Sequence, residues 1–287
     1  MRRAKAERRI NNIAVVSDLH CGCAMGLIHR DGVTLDDGGH YQPSVFQQKL
    51  YAWWCEFWEW IEEKTHGEEI DVVVNGDIFQ GKPHGAIHQV SDNMEVQERI
   101  ALELLRPVAE KARKLYVIRG TEAHNGKSDE HEERIARQLG AVPCQSGQYA
   151  RYDLWKLIGR GKEGILCNFM HHIGTTGTSA YESTAILKEL VEAYVQSGRW
   201  NDRAPDCVIR SHRHTCLSVT VPASEPQCWA TSLTTPAWQG KTPFSAKIPG
   251  ARQSQPQIGG VLIREAPDGV WYATPWARTF TRAKPEE

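Results

Sequence analysis

Apolar runs alternate with amphipathic segments along the first half of the chain. The runs NIAVVSD, DVVVNGD and KLYVIRG are continuous and rich in β-branched residues, as is typical of strands buried on both faces. Between and after them, SVFQQKLYAWWCEFWEWIEEKT, SDNMEVQERIALELLRPVAEKARK and SDEHEERIARQLG have the length and spacing of helices. This alternation of strand and helix predicts a layered α/β fold.

Local signals refine the helices. We expect Ser91 or Asp92 to cap the second helix, because either side chain can accept a bond from a free N–H of the first turn. Pro107 should kink or interrupt that helix, since proline lacks the N–H that the helical ladder needs. The third helix should end at Gly140, and its charges predict an ordinary solvated face.

The second half of the chain has the pattern of short strands. YARYDLWKLI and GILCNFMHH flank GRGKEG, which predicts a hairpin, and TSAYESTAILKELVEAYVQSG predicts another helix. Further strands are predicted in DCVIRSHRH, CLSVTVPA, QCWATSLTTPAW, GGVLIREA and GVWYATPW. No repeat or sharp change in composition marks a linker, so we expect a single domain over 1–287, with strands in 217–277 completing it.

Composition narrows the class of protein. The chain has 287 residues, of which 24% are charged, and a net charge of -1, so no overall field favours nucleic acid or an anionic membrane. No apolar stretch suits a signal peptide or a membrane span. The eight cysteines include no C-x-x-C pair. We expect a cytoplasmic protein with reduced cysteines and no membrane partner.

Acidic and histidine side chains stand at the ends of five apolar runs. They are Asp18 and His20, Asp77, Glu122 and His124, His171 and His172, and His212 and His214. In layered α/β folds the carboxyl ends of strands form the rim where ligands bind, so these side chains should converge. Residues two apart in a strand face the same side, so each D-x-H or H-x-H pair can face one ion.

The residue types indicate a metal centre. Carboxylates mixed with imidazoles suit manganese, iron or zinc better than the oxygen-only sites of calcium and magnesium. The set exceeds what one ion needs, which predicts two divalent ions about 3.5–4 Å apart, with manganese as the first choice. Asp77 can bridge both ions because it has two oxygens. Such a pair activates water, orients a phosphate and neutralises charge in an in-line displacement.

The order of these motifs resembles that of the calcineurin-like metallophosphoesterases. The family's D-x-H, G-D, G-N-H-[DE], H and G-H-x-H correspond to D-x-H, G-D, G-x-x-x-H, a strand-end His and S-H-x-H over residues 13–216. Within the family the chain is most similar to enzymes encoded by bacteriophages and prophages, because GLIHRDGVTLDDGGHYQPS precedes a tryptophan-rich helix. A phage-encoded protein would act in the host cytoplasm. The resemblance implies an αββα sandwich of two packed β-sheets flanked by helices, and phosphoester hydrolysis by metal-activated hydroxide.

The resemblance also implies a role for each residue. The first metal would be bound by Asp18, His20 and His214, the second by His171 and His212, and Asp77 would bridge them. His172 is the alternative to His171, which we prefer because it comes first after its strand.

The segment GTEAH departs from the family's G-N-H. In the family, the Asn binds the second metal and the adjacent His donates a proton to the leaving group. We favour Glu122 as the ligand and His124 as the proton donor, since this fills every role. In the alternative, Thr121 takes the position of the Asn, Glu122 replaces the His, and His124 is incidental.

The sequence therefore predicts a metallophosphoesterase whose substrate is a phosphorylated small molecule, a phosphodiester or nucleic acid. A nuclease is the first alternative, because DNA-repair exonuclease subunits share the family, although no basic stripe with interleaved aromatic residues is visible. A metal-bound scaffold without catalysis is a further alternative, which loss of ligands would indicate. No feature of the sequence indicates an oligomeric state.

Overall fold

Two large β-sheets, a separate two-stranded sheet and the helices around them make up the described part of the fold. The structure, a computed structural model, describes residues 9–82, 87–125, 130–159, 163–174, 178–224, 228–243, 245–247 and 255–280. In chain order its strands are β1 (Asn12–Val16), β2 (Val33–Thr34), β3 (His40–Tyr41), β4 (Asp71–Asn75), β5 (Lys114–Ile118), β6 (Ala150–Arg151), β7 (Leu154–Ile158), β8 (Ile165–Phe169), β9 (Cys207–Arg210), β10 (Ser218–Pro222), β11 (Trp229–Thr234), β12 (Ile258–Glu265) and β13 (Trp271–Arg278). The helices are α1 (Val45–Thr65), α2 (Met94–Lys111), α3 (Glu122–Asn125), α4 (Glu130–Gln138) and α5 (Glu182–Trp200).

The larger sheet has the strand order β13-β12-β1-β4-β5-β6. Strands β1, β4, β5 and β6 run parallel, and β12 pairs antiparallel with β1 and β13. The smaller sheet has the order β10-β11-β9-β8-β7, with β8, β9 and β11 parallel. Strands β7 and β8 pair as the predicted hairpin, whose turn at 160–162 lies outside the described residues.

The alternating side chains of β1 show how the layers pack. Ile13 and Val15 lie between the two sheets, in one apolar core with Phe169 of the smaller sheet. Ala14 and Val16 face the other way, into the core that α1 and α2 cover. Helix α5 packs on β10 and β11, outside the smaller sheet. The layers are therefore helix, sheet, sheet and helix, and the predicted αββα sandwich is confirmed.

Ser91 and Asp92 were the predicted caps of helix α2, but the observed N-cap lies one or two residues after them. Its N-cap is Asn93, whose side-chain oxygen accepts a hydrogen bond from the Glu95 N–H at 2.9 Å. The Ser91 hydroxyl instead accepts from the Asn93 N–H at 3.0 Å. Ser91 thus stabilises the turn before the helix, and Asn93 provides the N-cap.

Pro107 was predicted to kink or interrupt α2, and the interruption was wrong. The helix continues through Pro107 to Lys111. On either side of the proline, Leu104, Leu105 and Val108 are buried in the core. This burial holds the backbone helical despite the one N–H that proline removes.

Within the described ranges, no helix combines the length and the apolar character that crossing a bilayer requires. None of the eight cysteines, all of which lie in the described ranges, forms a disulfide. The single domain over 1–287 stays a prediction.

Candidate metal centre

The metal-ligand candidates meet where strands of both sheets end. Asp18 and Asp77 follow β1 and β4 of the larger sheet, while His171 and His214 follow β8 and β9 of the smaller one. Asp77 Oδ2 lies 3.0 Å from His171 Nε2, and Asp18 Oδ1 lies 3.2 Å from His214 Nε2. The predicted convergence of strand ends therefore brings together side chains from both layers.

Among the described residues, three overlapping groups each place their ligand atoms within 4.8 Å of one another. The groups are Asp18, Asp77, His171 and His212; Asp18, His20 and His214; and His20, Asp77 and His124. The second group has the composition predicted for the first metal. Asp18, His20 and Asp77 each belong to two groups, so these three side chains lie at the centre of the cluster.

Five of these residues have a left-handed backbone. The φ angles are 52° for Asp18, 47° for His20, 51° for Asp77, 71° for His212 and 57° for His214. In the part of the chain that is described, the other non-glycine residues with positive φ are His66, Asn201 and Cys228. Each such residue costs on the order of 1–3 kcal/mol, and such backbone strain clusters at functional sites.

The left-handed backbone corrects one step of the sequence reasoning. Asp18 and His20 lie beyond β1, which ends at Val16, so strand alternation is not what brings them together. Backbone bonds fix them instead, from the Asp18 N–H to Gly76 O at 3.0 Å and from the His20 N–H to Asp77 O at 3.1 Å. The loops after β1 and β4 thus hold each other.

Two glycines allow the close approach of these loops. A Cβ atom at Gly76 would lie 2.4 Å from His171 Nδ1, and one at Gly120 would lie 2.2 Å from Asp77 Oδ1. Gly76 also has a φ of 85°. Any side chain at either position would displace a ligand candidate.

Unpartnered buried atoms fit a cation. Asp18 Oδ1 and His20 Nδ1 are buried and make no hydrogen bond. The Nε2 atoms of His20 and His214 face each other at 3.2 Å. Leaving such groups unsatisfied costs about 1–3 kcal/mol each, and a divalent ion bound by carboxylate and imidazole would offset that cost.

Charges within the cluster keep its carboxylates ionised. Burial acts to raise the pKa of Asp77, but the positive charges of His171 and His124 outweigh it and hold the pKa well below its usual range. Burial lowers the pKa of His20 well below its ordinary value, and the neighbouring His124 and His214 add to this. Ionised carboxylates beside a neutral imidazole are the forms that bind metal.

Backbone carbonyls orient two of the imidazoles. His171 Nδ1 donates to Asn75 O at 2.7 Å, which leaves Nε2 facing Asp77. His124 Nδ1 donates to Gln80 O at 2.7 Å, and its Nε2 lies 3.9 Å from Asp77 Oδ2. A bond at one ring nitrogen sets which nitrogen is available to a metal or a substrate.

The two adjacent histidines after β8 have different environments. His171 is 1% exposed and belongs to a ligand group, whereas His172 is exposed. The ring of His172 stacks on His212, with centroids 6.1 Å apart. The structure therefore brings His171 to the cluster and places His172 at its outer edge.

Thr121 contacts the cluster, whereas the side chain of its neighbour Glu122 is exposed. Thr121 donates to Asp77 Oδ1 from its N–H at 2.7 Å and from its hydroxyl at 3.0 Å. Glu122 begins α3 with an exposed side chain, and none of the three ligand groups includes it. The structure does not bring Glu122 to the cluster, so its role as a ligand stays a prediction. Thr121 directly follows the glycine, as the family's Asn does, and this was the signal for it.

Comparisons with known proteins add little. No protein-family model and no curated protein matches the sequence. Among solved structures, Vps29 of Chaetomium thermophilum aligns over 96% of this chain and 100% of its own, at 10% identity and a TM-score of 0.37. A conserved protein of Streptococcus pneumoniae, described as a predicted phosphoesterase, aligns over 95% and 100%, at 11% identity and a TM-score of 0.33. These scores are too low to support an inference, and the fold assignment rests on the strand order.

Proposed function

We propose that this chain is a metal-dependent phosphoesterase of the calcineurin-like type, with a dinuclear centre. The observation that carries the proposal is the overlap of the ligand groups, in which Asp18 and Asp77 are each shared. Shared carboxylates are what a pair of ions a few ångströms apart requires. The left-handed backbone at five of the residues supports a site that the fold holds under strain.

Each residue has a role in the proposal. One ion would be held by Asp18, His20 and His214 and the other by His171 and His212, and Asp77 would serve as a ligand shared by both. When bound, divalent ions lower the pKa of water and neutralise charge on a phosphate. The Asn75 carbonyl keeps the His171 proton on Nδ1, so that Nε2 can bind. The residue at the family's Asn position is Thr121 or Glu122, and the contacts of Thr121 with Asp77 favour Thr121.

His124 is proposed as the proton donor. Its Nδ1 is held by the Gln80 carbonyl, and its side chain is 15% exposed, so Nε2 can be reached by a substrate. A protonated Nε2 would pass its proton to the departing oxygen, and a positioned general acid contributes about 10²–10⁴-fold. The proton returns from water after the alcohol leaves.

The site opens toward the smaller sheet. The side chain of His212 is 43% exposed and that of His214 is 22% exposed, whereas Asp18 is fully buried. A substrate phosphate would therefore approach from the side of His212. Monoesters, diesters and nucleic acid could all enter at such an opening, and the assay has to separate them.

The test is hydrolysis by chelator-treated protein as Mn²⁺ is added back. The substrates are a chromogenic phosphomonoester, a chromogenic phosphodiester and single-stranded DNA. We expect manganese-dependent cleavage of at least one of them, and cleavage of DNA alone would favour the nuclease. Bound manganese without cleavage of any substrate would favour the scaffold, and neither binding nor cleavage would overturn the proposal.

A further inference from the structure

Helix α4 carries a carboxylate that the sequence places on an ordinary charged face but that is fully buried. Glu132 is 0% exposed. Its Oε2 accepts a hydrogen bond from the Gly120 N–H at 2.8 Å, and its Oε1 accepts from the Ile78 N–H at 3.2 Å. Burying a carboxylate is costly, and these two amides replace part of the hydration that Glu132 loses.

The two amides belong to the loops that build the metal centre. Ile78 directly follows Asp77, and Gly120 directly precedes Thr121. Thr121 in turn binds Asp77 Oδ1 through its N–H and its hydroxyl. Glu132 therefore closes a ring of contacts that runs through both loops and through the central carboxylate of the cluster.

The contacts of Glu132 indicate that backbone hydrogen bonds, and not an ion pair, hold its side chain in place. Among the described residues, no Lys, Arg or His forms an ion pair with it. Burial raises its pKa to about 7. A buried carboxylate with two backbone donors and no cation is suited to fixing the distance between two loops.

We propose that Glu132 is a positioning residue, which holds the loops after β4 and β5 in the register that lets Thr121 orient Asp77. The role deepens the proposed function and rests on it, because Asp77 must bind metal for the register to matter. Side chains that orient metal ligands typically change metal affinity about 10–100-fold when they are removed.

The neighbouring Glu133 offers a matched control. Its Oε2 accepts from the N–H groups of Tyr149 at 2.9 Å and Ala150 at 2.8 Å. These amides lie at the start of β6, which carries none of the ligand candidates. Glu133→Gln and Glu132→Gln thus each alter a carboxylate on the same helix that accepts two backbone amides. Glu133 also contacts the side chain of Arg119 at 3.5 Å, but of the two only Glu132 accepts from the amides of Ile78 and Gly120.

The experiment measures Mn²⁺ affinity by calorimetry on chelator-treated wild type, Glu132→Gln, Glu132→Asp and Glu133→Gln, with thermal unfolding of each metal-free protein. We expect Glu132→Gln to bind Mn²⁺ about tenfold or more weakly, because the two N–H groups bind different carboxylate oxygens and the amide keeps an accepting oxygen at only one of these positions. Glu132→Asp should fail to restore affinity, since its shorter side chain cannot reach both. Glu133→Gln should bind Mn²⁺ within about twofold of wild type, whatever stability it loses.

Several results would overturn the role. They are a Glu132→Gln affinity equal to that of wild type, an equal loss in Glu133→Gln, or full recovery in Glu132→Asp, which would mean that charge alone suffices. If the variants do not fold, hydrogen exchange of the Ile78 and Gly120 amides in wild type replaces the affinity test. Fast exchange at either amide would contradict its hydrogen bond to Glu132. Wild type that binds no Mn²⁺ would overturn the proposed function and this role together, whereas wild-type binding with an unaffected variant would remove only Glu132.

Discussion

The loops after β1 and β4 and the segment after β5 contribute to the same centre but differ in burial. Asp18, His20 and Asp77 are at most 2% exposed, and backbone bonds join their two loops. After β5, Thr121 and His124 are partly exposed, and the side chain of Glu122 points to solvent. Burial and backbone bonds hold the first region in place, whereas the second region continues into the short, four-residue helix α3.

This difference shows where motif spacing carries structural information. The loops after β1 and β4 match the D-x-H and G-D spacing, and the structure brings Asp18, His20 and Asp77 together. The segment after β5 has two additional residues between its glycine and its histidine. The short helix absorbs them, bringing Thr121 to Asp77 and His124 to the cluster while Glu122 faces outward.

The largest effect is expected in the buried region. Asp77→Asn should abolish turnover and reduce the metal content to one ion or none, because Asp77 is shared between two ligand groups. Metal analysis and the phosphoester assay check this. Asp268→Asn, on the turn between β12 and β13, is the control and should match wild type. Two bound ions and a normal rate in Asp77→Asn would remove Asp77 from the bridging role.

The next effect concerns the segment after β5. His124→Ala should lower the rate about 10²–10⁴-fold for substrates with poor leaving groups, and far less for an activated aryl phosphate. The reason is that only a basic departing oxygen needs the proton. Rates on the two substrate types check this, and equal losses on both would make His124 a ligand or a phosphate-binding residue.

A smaller effect separates Thr121 from Glu122. Thr121→Val should weaken Mn²⁺ binding about tenfold, because it removes the hydroxyl that orients Asp77. Glu122→Gln should change binding little, because its side chain is exposed. Manganese titration of the two variants compares them. If Glu122→Gln weakens the second ion and Thr121→Val does not, the assignment of Glu122 from the sequence is the right one.

The smallest effect is on stability, at the residue that joins the two regions. The pKa of Glu132 is raised by burial from 4.5 to about 7. Between these values the folded protein holds a proton that the unfolded chain has lost, so this stabilising contribution is complete below pH 4.5 and is lost as pH rises through about 7. The free energy of unfolding of metal-free wild type, minus that of Glu132→Gln, should therefore fall across this range in urea melts. A flat difference would mean that Glu132 titrates normally.

The elements that depend on local pattern could be predicted from the sequence. Continuous apolar runs identified β1, β4 and β5. The segment 44–65 was predicted to be a helix, and α1 spans Val45–Thr65. The uninterrupted course of α2 through Pro107 could not be predicted, because burial of residues such as Leu104 and Val108 outweighs the proline. Tertiary packing decided that case over local propensity.

In the candidate site, too, some residues could be predicted from the sequence and other features could not. Asp18 and Asp77 could be named from motif spacing alone, and the structure brings them together. Their left-handed backbone could not be foreseen, because it results from contacts between loops that are distant in sequence. Glu132 could not be found either, since a glutamate in a charged helix gives no sign that its side chain points inward.

The central claim is a pair of metal ions bridged by Asp77, and electron paramagnetic resonance of the manganese-loaded protein tests it most directly. Two Mn²⁺ ions about 3.5–4 Å apart share a bridging ligand and couple magnetically. We predict the spectrum of a coupled pair in wild type, and its replacement by the signal of isolated ions in Asp77→Asn. A wild-type spectrum of isolated or unbound Mn²⁺ at saturating metal would contradict the account.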